Sequence, residues 1–268
     1  VRFLSGALME PGRPSETARW VAAQRRTFER APGMPDGDPG ADEVLAGDVA
    51  GELAVDPTST MAAYLRGRSA FFDAAVLRAI DDGIGQIAII GAGYDGRALR
   101  YRTPGVRWFE VDHPATQADK VTRLARLGLD ASDVTFVPAD LASDLDLATV
   151  LDTAGLRADG RTLILWEGVV NYLDAEAVAA TAAALRRASG PNSILAVSVA
   201  TEATPQARAR FERQVGAMGE AAAAPIDVDA AQPLLAEAGW TMVRPAGPDD
   251  ARLRRAGLVL AVATDPAA

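Results

Sequence analysis

The stretch "QIAIIGAGYDGRALRY" (Gln86–Tyr101) decides the fold. Three isoleucines in the first five residues make a short apolar run suited to a buried strand. Gly91-Ala92-Gly93 then turns the chain, and "RALRY" can be helical. Strand, glycine turn and helix in that order form the opening unit of a parallel α/β sheet. Glycine at 91 and 93 has a second consequence. With no Cβ in the way, the backbone there can come close to a ligand.

Outward from this unit the pattern keeps alternating. Strands are expected at 86–91, 106–111, 134–138, 161–167 and 193–199. Helices are expected at 95–101, 114–128, 144–154 and 174–189. The tail differs: "AAQPLLAEAGWTMVRPA" reads as helix, glycine and strand, and "RLRRAGLVLAVATD" gives a final strand after a short connection. A short connection suits an antiparallel pair. The expected fold is therefore α/β and Rossmann-like: a mostly parallel seven-stranded sheet, helices on both faces, the last strand antiparallel.

Upstream of the sheet, residues 1–14 read as a loose arm. "SETARWVAAQRRTFERA" reads as a helix over 15–31 with Ser15 as N-cap. A loop over 32–43 follows, then a short helical stretch over 41–54. "STMAAYLRGRSAFFDAAVLRAIDDG" is the clearest helix, capped by Ser59, with Met61, Leu65, Phe72, Val76 and Ile80 in an apolar stripe. The expected organisation is one domain over 15–268, with lid elements at 15–55 and 201–230.

Composition narrows the chemistry. The net charge of −9 argues against a general nucleic-acid binder. The absence of cysteine excludes disulfides, thiolate nucleophiles and cysteine metal sites. The one histidine, His113, excludes a metal site built on several histidines, so no metal is expected. No apolar run is long enough to span a bilayer. The opening "VRFLSGALMEPGRP" is too weak for a secretory signal, which makes a cytoplasmic location the expectation. The alanine-rich, arginine-rich composition, with Lys120 the only lysine, suggests a bacterial source.

Open α/β sheets bind ligands beyond the carboxyl ends of their strands. Strand one ends in Gly91-Ala92-Gly93. Strand two ends in "FEVDHP", placing Glu110 and Asp112 where a carboxylate can accept ribose hydroxyls. Strand three ends in "PADL", where Asp140 can accept an adenine amino group while Leu141 covers the ring. Strand four ends in "LWEGVVNYL", where Glu167 can meet a cationic amino group. Singly each has a bland alternative: a tight turn, a surface acid, or a helix cap. Jointly they line one cleft. Its acidity suits a ligand with an ammonium and a sulfonium better than a pyrophosphate. Gly91, Gly93 and Gly96 also fit a dinucleotide fingerprint, so a nicotinamide-dependent oxidoreductase is the alternative. That reading lacks its chemistry, because the residue four before Lys120 is Thr116, not tyrosine. A non-catalytic binding protein on the same scaffold is a third reading.

At these residues the chain resembles the leucine carboxyl methyltransferase-like family of class I S-adenosylmethionine-dependent methyltransferases. The resemblance runs through "SETARWVAAQRR", "YLRGRSAFFD", "IIGAGYDGRALRY", "FEVDHP", "PADL" and "WEGVVNYL", from about residue 15 to 200, and continues at "LLAEAGW" and "LRRAGLVLA". It implies an O-methyltransferase that moves a methyl from S-adenosyl-L-methionine to a carboxylate or acidic hydroxyl of a small molecule. It also implies roles. Arg68, or else Arg66, would pair with the cofactor carboxylate, and Gly91 would lie against the methionine part. Asp112 would hold the ribose with Glu110 close by. Asp140 and Leu141 would bracket the adenine, and Glu167 would sit near the amino group and the methyl. Gly96 departs from the family pattern, which often has another small or polar residue there.

A carboxylate acceptor is ionised at neutral pH and needs no base, and no histidine is expected to face the acceptor. No residue is therefore assigned a proton-transfer role. Glu167 and Tyr172 are expected to position the reactants. Trp20, Asn171, Tyr172 and Met218 are candidates to touch the acceptor, whereas Phe72 is expected in the core. Asp112→Ala and Glu167→Ala are each expected to weaken cofactor binding without unfolding the protein.

Overall fold

A computed structural model describes residues 12–264 except 52, 142, 144–145, 202–208, 210–211, 214, 220–222 and 245. Its strands are β1 (Gln86–Ile90), β2 (Arg107–Asp112), β3 (Val134–Pro138), β4 (Thr162–Trp166), β5 (Ile194–Ser198), β6 (Trp240–Met242) and β7 (Leu258–Ala263). Among the described residues they form one seven-stranded sheet in the order β3-β2-β1-β4-β5-β7-β6. The first five strands run parallel. β7 is antiparallel to both its neighbours, β5 and β6. The seven-stranded Rossmann-like expectation holds.

Alternation along each central strand splits the core into two layers. Ala88 and Ile90 of β1, Ile164 and Trp166 of β4, and Leu195 and Val197 of β5 share one face of the sheet. Ile87 and Ile89, Leu163 and Leu165, and Ala196 share the other. The first face is covered by α6 (Leu147–Thr153), α7 (Ala175–Arg187) and α8 (Val228–Glu237). The second is covered by α3 (Thr60–Asp81), α4 (Arg97–Arg100) and α9 (Pro248–Arg255). Leu65, Phe72 and Val76 of the α3 stripe are buried, Phe72 completely, as its core reading required. The β6–β7 connection is longer than expected because it carries α9.

α1 (Glu16–Arg25), α2 (Pro39–Ala50) and α5 (Pro114–Leu127) meet in a third apolar cluster around Ala22, Leu45, Val49, Tyr94 and Leu99. Ser15 caps α1 by accepting the Ala18 N–H at 3.0 Å, and Ser59 caps α3 by accepting that of Ala62 at 3.1 Å. α1 stops at Arg25, short of the expected residue 31. Thr27 folds back there, its N–H and hydroxyl donating to the Gln24 carbonyl at 2.9 and 2.7 Å. The expected arm lies outside the described residues up to residue 11, and the expected lid over 201–230 does so in part. Within that segment Val215 and Ile226 are buried, and Ala223 donates its N–H to the Asn171 carbonyl at 2.9 Å. No helix among the described residues is long and apolar enough to cross a membrane.

Candidate functional site

The carboxyl ends of β1 to β4 bring the sequence candidates together. Gly91 follows β1, Asp112 closes β2, Asp140 lies just beyond β3, and Glu167 follows β4. The N–H groups of Gly91 and Ala92 both donate to the Val111 carbonyl, at 2.8 and 3.0 Å, which ties the glycine turn to the end of β2. The Gly93 N–H then donates to the Asp112 carboxylate at 2.5 Å. Gly91 has φ of +70°. A Cβ there would lie 2.2 Å from Val169 Cγ2, so the turn and the loop after Glu167 are in direct contact. Burial raises the Asp112 carboxyl above its ordinary value, against the pull of the Gly93 and His113 N–H groups.

Glu167 is the centre of the charged part of the site. Its Oε1 accepts from Arg68 Nε at 2.9 Å, and its Oε2 from Arg97 Nη1 at 2.6 Å. Arg25 Nη2 stands 3.8 Å from Oε1. Burial alone would raise the Glu167 carboxyl, but Arg97, Arg68 and Arg25 bring it below the usual range. Arg97 also binds Asp73 through Nε at 2.7 Å and Asp95 through Nη1. From Asp73 the chain of ion pairs runs on through Arg30 to Asp42 of α2, and Asp42 accepts from Arg100 at 2.8 Å. Side chains from α1, α2, α3, α4 and the residue after β4 thus meet in one buried network. Such a network is specific in geometry because each charge depends on its partners.

The structure sorts the remaining candidates. Arg68 is buried against Glu167, whereas Arg66 is exposed, its guanidinium 6.0 Å from the Phe28 ring centroid. Glu110 is buried beneath the cleft and bound by Lys120 Nζ at 2.5 Å, and Lys120 also donates to the Asp95 carbonyl. Its carboxylate is therefore committed to a structural pair. His113 is the N-cap of α5, where Nδ1 accepts the Ala115 N–H at 3.3 Å. Asp140 and Leu141 are half-buried in the turn after β3. Trp20 is half-buried on α1; Asn171 and Tyr172, in a short 3₁₀ turn, and Met218 are half-buried too. Sequence reasoning missed Arg25, Asp73, Asp95 and Arg97. One available signal was Asp73 inside the apolar run "AFFDAAV"; another was the pair Arg97 and Arg100 directly after the glycine turn.

Gly96 has a local explanation. A Cβ on it would lie 1.8 Å from Asp42 Oδ1. The glycine makes room for α2, not for a pyrophosphate. The start of α4 is also engaged: Asp95 accepts the Arg97 N–H at 2.8 Å.

Leucine carboxyl methyltransferase is the family that matches, over residues 24–186, more than half of the chain. The chain belongs to that family. The match spans the glycine turn, both aspartate-bearing strand ends, Arg68 and Glu167. A protein of Frankia alni, named as a proposed S-adenosyl-L-methionine-dependent methyltransferase, is 42% identical over 130 residues, covering 48% of this chain and 46% of that one. A Mycolicibacterium paratuberculosis protein of the same name is 37% identical over 155 residues, 57% and 49% of the two chains. This family member spans about half the length of those curated relatives. Among solved structures, a DUF574 family protein from Streptomyces avermitilis superposes with a TM-score of 0.59 at 19% identity, covering 94% of this chain and 98% of that one. Magnesium protoporphyrin IX methyltransferase from Synechocystis, solved with S-adenosylhomocysteine, gives 0.51 at 15% identity, with coverage of 79% and 90%. At those identities the likeness concerns the fold.

Proposed function

We propose that this chain is an S-adenosylmethionine-dependent O-methyltransferase acting on a carboxylate or acidic hydroxyl of a small molecule. The observation that carries the reading is the buried Arg68–Glu167 pair beside the Gly91–Gly93 turn, with Asp112 bonded to that turn. These groups fit the cofactor. Arg68 matches its carboxylate, Glu167 its ammonium, Asp112 its ribose hydroxyls, and Asp140 with Leu141 its adenine. Family membership supports the same choice.

When bound, S-adenosylmethionine supplies an electrophilic methyl. The chain's residues bind, orient and exclude water. In the described structure Arg68 is paired with Glu167 Oε1, and Arg25 Nη2 stands 3.8 Å from the same oxygen. A ligand carboxylate that draws Arg68 to itself leaves Glu167 Oε1 for the ligand's ammonium. The acceptor side is read from the chemistry of the chain. Its single imidazole caps α5, so an acceptor that is already ionised at neutral pH fits best. Trp20, Asn171, Tyr172 and Met218 are the proposed acceptor contacts, and α1 with the 201–230 segment the proposed cover.

Calorimetric titration with S-adenosylmethionine, S-adenosylhomocysteine and the nicotinamide cofactors tests the cofactor. Binding of the first two alone is expected, and binding of a nicotinamide cofactor instead would overturn it. Base-labile radiolabel transferred from methyl-labelled S-adenosylmethionine to an acceptor extract would identify a carboxyl ester. Base-stable label would identify an ether, and label on nitrogen or carbon would remove the O-methyl reading.

A further inference from the structure

We propose that Arg97 is a positioning residue for the cofactor site: it anchors Glu167 through Oε2 and so leaves Oε1 as the oxygen that faces the ligand. The inference rests on Glu167 being the group that meets the cofactor's amino end. Arg97 and Arg68 both bind Glu167, but they are held differently.

Arg97 is completely buried, and its guanidinium is shared among three carboxylates. Nε binds Asp73 at 2.7 Å, Nη1 binds Asp95 and binds Glu167 Oε2 at 2.6 Å, and Nη2 reaches the Ser69 carbonyl at 3.4 Å. The guanidinium carbon also stands 5.6 Å from the Phe72 ring centroid. A planar fork held on three sides has no alternative position. Arg68 is different. Among the described residues its ion pair is with Glu167 Oε1, through Nε, and Tyr64 adds a side-chain hydrogen bond with its ring centroid 5.8 Å from the guanidinium. Of the two, Arg68 can exchange Glu167 for a ligand carboxylate, and Arg97 cannot. Oε2 therefore stays anchored in both states while Oε1 changes partner.

The anchor also has an electrostatic role. Glu167 is faced by Arg25 from α1, Arg68 from α3, Arg97 from α4 and Asp95 from the glycine turn. Asp95 opposes its ionisation and the three arginines favour it, Arg97 most strongly. Once Arg68 has turned to a ligand, Arg97 carries most of that burden.

Two ligands separate this role from a merely structural one. S-Adenosylhomocysteine carries the amino-acid end; 5′-methylthioadenosine shares its adenosine and lacks that end. Affinities of both are measured by calorimetry for the wild type, R97K and R97M between about pH 8 and about pH 5.5, a window set above the ordinary carboxylate range. Losing one charged hydrogen bond to Glu167 is expected to weaken S-adenosylhomocysteine about tenfold in R97K, with methylthioadenosine changed less than about twofold. In R97M the ratio of S-adenosylhomocysteine to methylthioadenosine affinity should fall further as pH falls, while in the wild type that ratio stays flat, because the raised Asp112 carboxyl meets the ribose that both ligands share. Equal losses for both ligands, or no loss, would overturn the proposal. Should R97M not fold, the ratio of the two affinities in R97K decides alone. A wild type that binds neither ligand overturns the cofactor reading itself, an outcome seen before any variant is made.

Discussion

At the scale of single residues, the glycine at 96 carries the most consequence for the least chemistry. Adding one methyl forces it into the Asp42 carboxylate, which already holds Arg30 and Arg100. Gly96→Ala is expected to destabilise the protein by about 3 kcal/mol, through overpacking and a disturbed buried ion pair, read from the urea midpoint at unchanged m. Glu167 and Asp112 part company at this scale too. Asp112→Ala removes a group whose hydrogen bonds, among the described residues, come from the backbone N–H groups of Gly93 and His113, so reduced S-adenosylhomocysteine affinity with modest loss of stability is expected in calorimetry and melting. Glu167→Ala leaves Arg68 and Arg97 without their shared partner, and a stability loss of about 3 to 5 kcal/mol is expected beside the lost affinity. Of the two variants, Glu167→Ala is thus the one expected to cost the fold more. The strand-end residues were legible because each follows a recognisable apolar run. The arginines and aspartates between them were not, because ion pairs spanning residues 25 to 167 leave no period in the chain, and a charge on a helix ordinarily reads as solvated.

At the scale of elements, α1 is held to the site by few contacts of two kinds. Ala18 lies against the Gly93 turn, where an added Cβ would meet it at 3.1 Å. Arg25 donates to the Tyr94 carbonyl at 3.3 Å and to Asp95 at 3.2 Å. Arg25→Ala is expected to raise amide hydrogen exchange across residues 16–25 while leaving α3 and the central strands protected, a contrast read by mass spectrometry. Equal protection of α1 in both proteins would show that the apolar cluster with α2 suffices. α3 was legible as a periodic stripe, and the caps of α1 and α3 as Ser15 and Ser59. The end of α1 was not, since the Thr27 fold-back that closes it is one local hydrogen-bond choice inside a run that otherwise suits a helix.

At the scale of the whole molecule, acid sensitivity follows from the same network. Asp73, Asp95 and Glu167 each sit below their ordinary values; burial works against each of them, and the neighbouring arginines outweigh it. A depressed carboxyl stabilises the fold fully above its unfolded value, near about 4, and loses that contribution as pH falls from there toward the folded value. Asp112 and Glu110 are raised by burial, so their protonation stabilises the fold as pH falls through their raised values toward about 4, above the range in which the network is lost. The melting temperature is therefore expected to hold or rise from neutral pH down to about 5 and to drop steeply below about 4, as scanning calorimetry across pH would show. A flat profile through that range would remove the network as a major source of stability. The architecture at this scale was the most legible part, because alternating strand and helix leaves few topologies.

The strand order carries a consequence for how the chain is made. β7 lies between β5 and β6, yet it is synthesised after both. A ribosome thus releases β6 before the strand it must pair with exists, and β5 waits with one edge open while residues 199–257 emerge. Until Leu258–Ala263 arrive, the nascent sheet ends in an unpaired edge carrying Leu195 and Val197. The emergence of β7 closes the sheet, and until then the open β5 edge is a site for wrong pairing.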